Sequence, residues 1–481
     1  MNITSFLPDV SLLFFIVLIS IFKFTGFNKH KLILLTFSAS LLITLLFLIQ
    51  QYYFTGHTFF YGSLAVDYFG ISLRILALII FSSLYFLIEY YDSPIEHNNA
   101  VLYLTLLFAL FISISSNNIL LTYITFEVIS LAYFIMLRKN AAKNINSFYR
   151  SWIISSSLML FGISIFYGLF GSLNYSQISL YLSGNPVNSL TMAISVLMIF
   201  SGFAFRLFVF PLQSVIIDIS ERISIGKSSM ILTTSAIAGF GGLTRFIYSA
   251  FNEQNSFNTS KILHTINPVF NWELFIIIIF CLTVLTSSLL LFLKKDLLKI
   301  NLYIFLVNIP LVILGFGIMQ YSNLSNITLL LIQTLIPFIT ITVIIYLFKV
   351  HNKINSIFDI NGVFFVYPFI TIVLIINLLS MAGLPLTLGF ASRLYILSAI
   401  SSSYSLSVVT VSVIASMVIY YKIFQMARLI FSKTTNGINV VKIKPEYLII
   451  LTIISLFLLI FGIFPSPLTY ILNIISNIIY F

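Results

Sequence analysis

Charged residues are scarce in this chain of 481 residues. They account for 8% of the sequence, whereas hydrophobic residues account for 60%. A soluble domain has no core large enough to enclose that share of apolar side chains, so the composition excludes a soluble protein. It indicates a protein that crosses a lipid bilayer many times.

Cysteine and clustered metal ligands are also lacking. Cys281 is the single cysteine and lies in an apolar run, which excludes a disulfide framework and a cysteine-based metal site. The five histidines lie in predicted loops without metal-ligand spacing, so we expect no bound metal. The 24 basic residues outnumber the 13 acidic ones, but they are scattered through short loops and form no continuous patch. A nucleic-acid partner is therefore not expected.

Long apolar runs are what the chain has in abundance. One crossing takes about 20 apolar residues, and this length predicts about fourteen transmembrane helices. The first run follows neither a basic segment nor a cleavage site, so it is predicted to be a mature span. We expect an all-α polytopic fold whose spans are centred near Phe15, Leu42, Ile80, Leu107, Phe126, Leu160, Ile199, Ile237, Phe280, Val312, Ile341, the stretch from Asn377 to Tyr395, Val413 and Leu456.

The distribution of basic residues predicts the orientation of these spans. Lysine and arginine accumulate in loops that stay on the side of synthesis. Here they lie in the loops after odd-numbered spans, whereas the loops after even-numbered spans carry only Lys261. This alternation predicts that both chain ends lie on the outer side, opposite the basic side.

Two short segments resemble each other and divide the chain. GFAFRL (Gly202 to Leu207) and GFASRL (Gly389 to Leu394) each place an arginine in an apolar run, with Pro211 and Pro385 nearby. Proline within a span frees backbone carbonyls, so spans seven and twelve are predicted to be broken helices. The pattern favours two inverted five-helix repeats, although a chance match in a Phe-rich chain is the alternative. The predicted parts are 1–97, 98–252 (first repeat), 253–432 (second repeat) and 433–481.

Five charged residues lie within predicted spans: Arg74, Glu127, Arg206, Arg245 and Arg393. Ionisable residues inside a membrane are costly and usually functional. Glu127 is too central to reach the surface, and Arg206 is its economical partner two spans away. The group is interpreted as a proton or ion path, with a structural ion pair as the alternative. Arg74 and Arg245 are expected nearer the membrane boundary, and a structural role is the alternative for both.

Asp218 and Glu221 follow the seventh span on the basic side. Solvated turn residues are one interpretation, and proton uptake or helix capping is the other. Thr233, Thr234 and Ser235, early in the next span, either line a water path or form helix contacts.

Three segments carry a resemblance to a known family. They are FRLFVFPLQSVIIDISERISIGKSSMILTTSAIAGFGGLTRFI, SMAGLPLTLGFASRLYIL and TYITFEVISL. Together they resemble the antiporter-like membrane subunits of respiratory complex I, most closely the pattern of subunit 2 of NADH:ubiquinone oxidoreductase, the bacterial N subunit. The family's essential fifth-helix glutamate then falls on Glu127, its seventh- and twelfth-helix lysines on Arg206 and Arg393, and further family positions on Pro211, Asp218, Glu221 and Arg245.

The chain departs from this family pattern where proton transfer is concerned. Arginine replaces lysine at Arg206 and Arg393, Ala236 stands at the eighth-helix lysine position, and Gln213 replaces a histidine. Lysine can lose its proton when desolvated, whereas a guanidinium does not. A relay that needs neutral amines at these positions therefore cannot run unchanged.

The resemblance implies a proton-translocating subunit that binds no redox cofactor, in a complex that uses NADH, FMN, Fe-S clusters and ubiquinone. It implies neighbouring antiporter-like subunits and membrane lipids as partners. The expected location is the mitochondrial inner membrane, with both chain ends in the intermembrane space, or alternatively a bacterial plasma membrane. A subunit of a cation/proton antiporter and a non-pumping structural subunit remain the functional alternatives.

Overall fold

A computed structural model of the chain describes twelve segments of the sequence. They are residues 6–24, 30–52, 55–91, 97–138, 145–184, 187–220, 223–251, 271–317, 321–352, 354–403, 406–432 and 445–477. Within them the contacts form two compact units, one within Met1–Trp272 and the other within Glu273–Asn477. The predicted division into four parts is a finer one and stays a prediction.

The first unit contains ten helices and a short hairpin in its described part. The helices are α1 (Leu7–Phe24), α2 (His30–Gln51), α3 (Tyr68–Tyr91), α4 (His97–Ser115), α5 (Ile119–Arg138), α6 (Ile145–Phe170), α7 (Tyr175–Gly184), α8 (Ser189–Arg206), α9 (Gln213–Ser220) and α10 (Ile225–Ala250). Strands β1 (His57–Phe59) and β2 (Leu64–Val66) pair antiparallel before α3. The chain is thus not purely helical.

Helix α10 forms the centre of this unit. It packs against α3, α4, α5, α7, α8 and α9, and all of its residues except Lys227 are buried. The connections after the second, fourth and sixth spans meet at one end of the unit: the Asn117 N–H donates to the Ser63 carbonyl at 2.7 Å, and the Ile119 N–H to the Leu173 carbonyl at 3.1 Å. These are loops that the sequence predicts on one side of the membrane.

The second unit contains the remaining helices. They are α11 (Trp272–Leu293, whose first residue is assigned to the first unit), α12 (Leu297–Gly315), α13 (Tyr321–Asn352), a 3-10 helix (Ile357–Ile360), α14 (Val363–Val366), α15 (Pro368–Ala382), α16 (Leu388–Ser403), α17 (Leu406–Ile430), α18 (Pro445–Ile463) and α19 (Ser466–Asn477). Three segments meet at one end of this unit. The Leu297 N–H donates to the Asn355 carbonyl at 3.0 Å, and the Gly362 N–H to the Leu429 carbonyl at 3.1 Å.

A helix is present at each predicted span centre. Nine helices in the described part of the chain are long and apolar enough to cross a membrane on their own: α3, α5, α6, α8, α10, α11, α12, α13 and α17. Helices α18 and α19 form a bent pair at 89°, and α1, α2, α4, α15 and α16 are shorter apolar helices. The structure is thus a mostly helical multi-pass membrane protein, whereas the count of fourteen spans and the inversion of the repeats stay predictions.

Both predicted interruptions are present. Helix α8 ends at Arg206 and α9 begins only at Gln213, with Pro211 between them. Helix α15 ends at Ala382 and α16 begins at Leu388, with Pro385 between them. Each interruption brings an arginine next to broken backbone.

Candidate functional site

Arg206 is the last residue of α8 and lies inside the first unit, with 2% of its surface exposed. Its Nη2 donates to the carbonyl oxygen of Phe126 and, at 2.6 Å, to Oγ of Ser130. Both acceptors belong to α5 and lie one helical turn apart. The guanidinium is therefore held against the side of α5 rather than exposed to lipid.

Aromatic rings complete the surroundings of this guanidinium. Its central carbon lies 4.9 Å from the ring centroid of Phe126, 5.9 Å from that of Phe205 and 6.0 Å from that of Tyr133. The negative faces of aromatic rings attract a cation, and the attraction increases when the cation is desolvated. Carbonyl, hydroxyl and ring faces thus take the place of a counter-ion.

Glu127 does not form the predicted ion pair with Arg206. Its side chain is half-buried, and its Oε2 accepts a hydrogen bond of 3.0 Å from Nε1 of Trp152 on α6. No ion pair joins the carboxylate to the Arg206 guanidinium, which contacts the preceding residue, Phe126. Arg206 was expected as the economical partner two spans away, but an indole N–H is the direct partner instead.

Hydroxyl groups continue from Arg206 toward α10. The Tyr133 hydroxyl, on α5, lies 2.6 Å from Oγ1 of Thr234 on α10. Thr233 and Thr234 also donate to the carbonyls of their own helix, at 2.8 Å and 2.5 Å. Ala236, at the family's lysine position, is fully buried and adds no polar atom. Hydroxyl groups, not an amine, therefore face α5 at this depth.

Arg393 occupies the second interruption. It lies on α16, is 8% exposed, and donates to the carbonyls of Ala382 and Met381, the latter at 2.5 Å. Its Nη2 also donates to Oδ1 of Asn308 on α12 at 2.6 Å. Because α15 ends at Ala382, its last carbonyls lack helical partners and carry the negative end of the helix dipole. The helix break therefore supplies the acceptors that a buried cation needs.

Gly383 makes this arrangement possible. It has a φ of +78°, which disfavours residues with a side chain, and an added Cβ would lie 2.7 Å from Cδ of Arg393. The Gly383 N–H bonds back to the carbonyls of Leu379 and Ser380, both at 3.0 Å. The chain thus turns away directly after α15 and leaves room for the arginine stem.

Arg245 is paired with a residue that the sequence patterns did not single out. Its Nη1 and Nη2 each lie 2.6 Å from an oxygen of Asp67, and its Nε donates to the Ile114 carbonyl at 3.1 Å. Both charged side chains are almost completely buried. Asp67 also caps α3, since its Oδ1 accepts the Gly70 N–H at 2.8 Å. An added Cβ at Gly70 would lie 2.9 Å from that oxygen, so glycine permits the close approach.

Arg74 lies in the same unit and is also buried. It forms an ion pair with Asp9 at 3.4 Å, and its Nε donates to the Phe111 carbonyl at 3.2 Å. Its Nη1 donates to Gln51 at 3.4 Å. Arg74 and Arg245 therefore both hold a carboxylate, in contrast to Arg206 and Arg393.

The two acidic residues predicted on the basic side cannot be assigned contacts. Asp218 lies on α9, but its side chain is outside the described set, and Glu221 lies between the described ranges 187–220 and 223–251. Gln213, at the family's histidine position, begins α9 and is buried. A role for this pair stays a prediction.

The buried polar residues that the sequence patterns did not single out include Asp9, Asp67, Asn308 and Lys422. Asp9 and Asp67 stand next to helix starts, where acids are usually solvated caps. Asn308 and Lys422 are single polar residues in apolar runs, which is the signal that would have found them. No group of three or more potential metal ligands occurs in the part of the chain that the structure describes.

Comparison with known proteins identifies the family. Residues 116–419 match the family model described as NADH:quinone oxidoreductase/Mrp antiporter, TM. The chain belongs to this family. One similar curated protein is NADH-quinone oxidoreductase subunit N of Blochmanniella floridana, which is 26% identical over 397 residues, covering 76% of this chain and 75% of that protein.

Two solved structures are similar in fold. One is respiratory complex I from Thermus thermophilus with bound aureothin, in which a chain matches with a TM-score of 0.77 at 16% identity, over 96% of this chain and 98% of that one. The other is the Mrp complex from Dietzia sp. DQ12-45-1b, with a TM-score of 0.80 at 12% identity, over 99% of this chain and 97% of that one. At these identities the likeness shows the fold of the antiporter-like family.

Proposed function

We propose that this chain is a membrane-arm subunit of NADH:ubiquinone oxidoreductase and contributes to proton translocation. The family match and the relatives named NADH-quinone oxidoreductase subunit N support this proposal. Its partners would be neighbouring antiporter-like subunits and membrane lipids. The chain itself would bind no redox cofactor, so its drive would come electrostatically from those neighbours.

The finer assignments follow from the sequence patterns. The subunit would correspond to subunit 2, and it would lie in the mitochondrial inner membrane with both ends in the intermembrane space. A bacterial plasma membrane is the alternative location, and the similar proteins from bacteria favour it. In either membrane the loops rich in lysine and arginine would face the side from which protons are taken.

One observation carries the mechanism: the Arg206 guanidinium binds the carbonyl of Phe126, the residue before Glu127 on α5, whereas the Glu127 carboxylate binds Trp152 on α6. Arg206 keeps its proton, so it acts as a fixed positive charge. Glu127 is the group that gains and loses a proton. Its charge changes the electrostatic energy of the Arg206 guanidinium by roughly a few kcal/mol at the effective dielectric of a protein interior. The carboxylate and the guanidinium thus form a coupled pair without a contact ion pair.

Protons would pass the fixed arginine charges by way of water and hydroxyl groups. Ser130, Tyr133 and Thr234 provide such groups beside Arg206. Arg393 would act as the corresponding fixed charge of the second repeat, and Asp218 with Glu221 would take up protons on the basic side. Arg245, bound to Asp67, would hold α10 and α3 in register rather than carry a proton.

Replacement of Glu127 by Gln in the assembled complex tests this proposal. We expect NADH oxidation with fewer protons translocated per NADH, measured in sealed vesicles, because glutamine cannot bind the transferred proton. Glu273→Gln is the matched control, since it makes the same change in the first turn of α11. Unchanged translocation with Glu127→Gln would reject the role of Glu127, and reduced assembly with normal translocation would favour a structural subunit.

The second candidate function is a subunit of a cation/proton antiporter. The similarity in fold to the Mrp complex supports it. Purification distinguishes the two functions. A protein isolated without an NADH-oxidising assembly, which exchanges Na⁺ or K⁺ for H⁺ in vesicles, would favour the antiporter.

A further inference from the structure

Lys422 is a buried lysine on α17 for which the proposed mechanism has no role. It is 4% exposed, and it is the one buried lysine in the described part of the chain. Its Nζ donates to the Lys294 carbonyl at 2.9 Å, just beyond the end of α11, and lies 5.9 Å from the Phe292 ring centroid. Within the described segments no carboxylate forms an ion pair with it.

This residue type differs chemically from the buried arginines. A guanidinium stays protonated, whereas a lysine amine removed from water can exist as a neutral base. Arg393 therefore cannot accept and release a proton in the second unit. Lys422 can do both.

A small cavity lies beside Arg393 and α17, and Lys422 follows the last α17 residue of its wall, Ile419, by three residues. Its volume is about 10 Å³, and its wall includes Arg393 together with Ser412, Ser416 and Ile419 of α17. That volume holds about one water molecule. The rest of the wall is apolar, so Nε of Arg393 as a donor and the two serine oxygens as acceptors are the groups that such a water would contact.

Lys422 continues the helix face that lines the cavity. Residues three or four apart share a face of an α-helix, so Ser412, Ser416, Ile419 and Lys422 follow one another along α17. Between Ile419 and Lys422 the helix rises by about 4.5 Å. The last turns of α17 meet the connections after α11 and α13, which carry basic residues and are predicted on the basic side. The face therefore leads from that side to Arg393.

We propose that Lys422 is the proton-uptake residue of the second repeat. Its neutral amine binds a proton arriving from the basic side, and the ammonium then releases that proton to water in the cavity beside Arg393. One proton enters and one leaves, and the fixed charge of Arg393 opposes a second proton in the cavity. This inference rests on the proposed function, since it assumes that the chain translocates protons.

Other charged and titratable groups lie on the elements packed against α17. Helix α15 contributes none, and the remaining groups are Glu273 and Cys281 on α11, Lys294, Lys295 and Asp296 after α11, Lys299 and Tyr303 on α12, Asp359 on the 3-10 helix, and Arg393 and Tyr395 on α16. On α17 itself Tyr420, Tyr421 and Arg428 flank Lys422. The cations among these groups favour release of the proton from an ammonium at Lys422, whereas the carboxylates oppose it.

The alternative is that Lys422 only caps α11, because a cation near a helix C-terminus stabilises it. Lys422→Arg separates these roles in the assembled complex. Arginine keeps the charge and the donors, so a cap is preserved, but it cannot release a proton. We expect normal assembly and NADH oxidation with fewer protons translocated per NADH in vesicles. Lys349→Arg, at an exposed position near the end of α13, is the matched control and should leave translocation unchanged.

The outcomes distinguish this inference from the function on which it rests. Normal translocation in Lys422→Arg together with a loss in Glu127→Gln would overturn the role of Lys422 and leave the proposed function standing. Normal translocation in both variants would reject the roles of both Lys422 and Glu127. If Lys422→Arg fails to assemble, Ser416→Leu decides, because leucine fills the cavity while Lys422 stays in place: reduced translocation supports the uptake route, and normal translocation overturns it.

Discussion

Removal of Arg245 should cost more stability than removal of Arg245 and Asp67 together. In the native unit the two side chains form paired contacts of 2.6 Å, with about 1% and 0% of their surfaces exposed. The change Arg245→Gln leaves the Asp67 carboxylate buried with only the Gly70 N–H at 2.8 Å. Breaking a buried pair from one side typically costs about 3 to 5 kcal/mol. Two lost charge-assisted hydrogen bonds of about 1.5 to 3 kcal/mol each give a similar figure.

The double variant Asp67→Asn with Arg245→Gln leaves two neutral amides in the same space. Asparagine can still accept the Gly70 N–H, so the cap of α3 is retained. We therefore expect the double variant to lose less free energy of unfolding than the two single variants together, by at least about 2 kcal/mol. The free energy of unfolding of Arg245→Lys should lie between those of the native protein and Arg245→Gln, because one ammonium cannot bridge both carboxylate oxygens and the Ile114 carbonyl.

Reversible unfolding of the purified protein in mixed micelles measures these quantities. Four free energies of unfolding, from the native protein, the two single variants and the double variant, complete the cycle. Single effects that add within about 0.5 kcal/mol would refute the reasoning, since they would show that neither side chain depends on the other.

Three further predictions concern the second unit. Gly383→Ala should destabilise by about 2 kcal/mol or more, because φ is +78° and the new Cβ meets the Arg393 side chain; thermal unfolding in detergent measures this. Asn308→Leu should cost about 2 kcal/mol in the same assay, since the guanidinium loses an acceptor at 2.6 Å. The Ser356 N–H, at 2.7 Å, lowers the pKa of Asp359 below its ordinary value. Asp359 therefore stabilises the fold above that ordinary pKa of about 3.9, and this contribution is lost as the pH falls through the lowered value. Asp359→Asn should cost about 1 kcal/mol at neutral pH and nothing in strong acid, as unfolding at the two pH values would show.

The interrupted helices beside Arg206 and Arg393 could be predicted from the sequence because two strong signals coincide there. An arginine in an apolar run has few tolerable places, and a nearby proline marks broken backbone that can accept its hydrogen bonds. The helix ends at Arg206 and Ala382 agree with this reasoning. Charge and proline pattern thus predict the local structure around each guanidinium.

The partners of the buried charges were less predictable. Glu127 and Arg206 form no direct ion pair, because carbonyl, hydroxyl and ring faces satisfy the guanidinium and Trp152 binds the carboxylate. Asp67 precedes α3 by one residue, and in the sequence it resembles a solvated cap. Only the packing of α10 against α3 brings Arg245 to it. Such pairs depend on tertiary contacts that local patterns do not contain.

The enclosure of α10 has a consequence for how the protein enters its membrane. Among the nine long apolar helices in the described ranges, α10 has the lowest mean hydropathy, and all of its residues between Ile225 and Ala250 except Lys227 are buried in the protein. Of these nine helices, α10 therefore gains the least free energy from insertion into lipid alone. We expect α10 to settle only after its surrounding helices are in place, so that biogenesis of the first half should stall with α10 still at the translocon whenever α3 or α8 is missing.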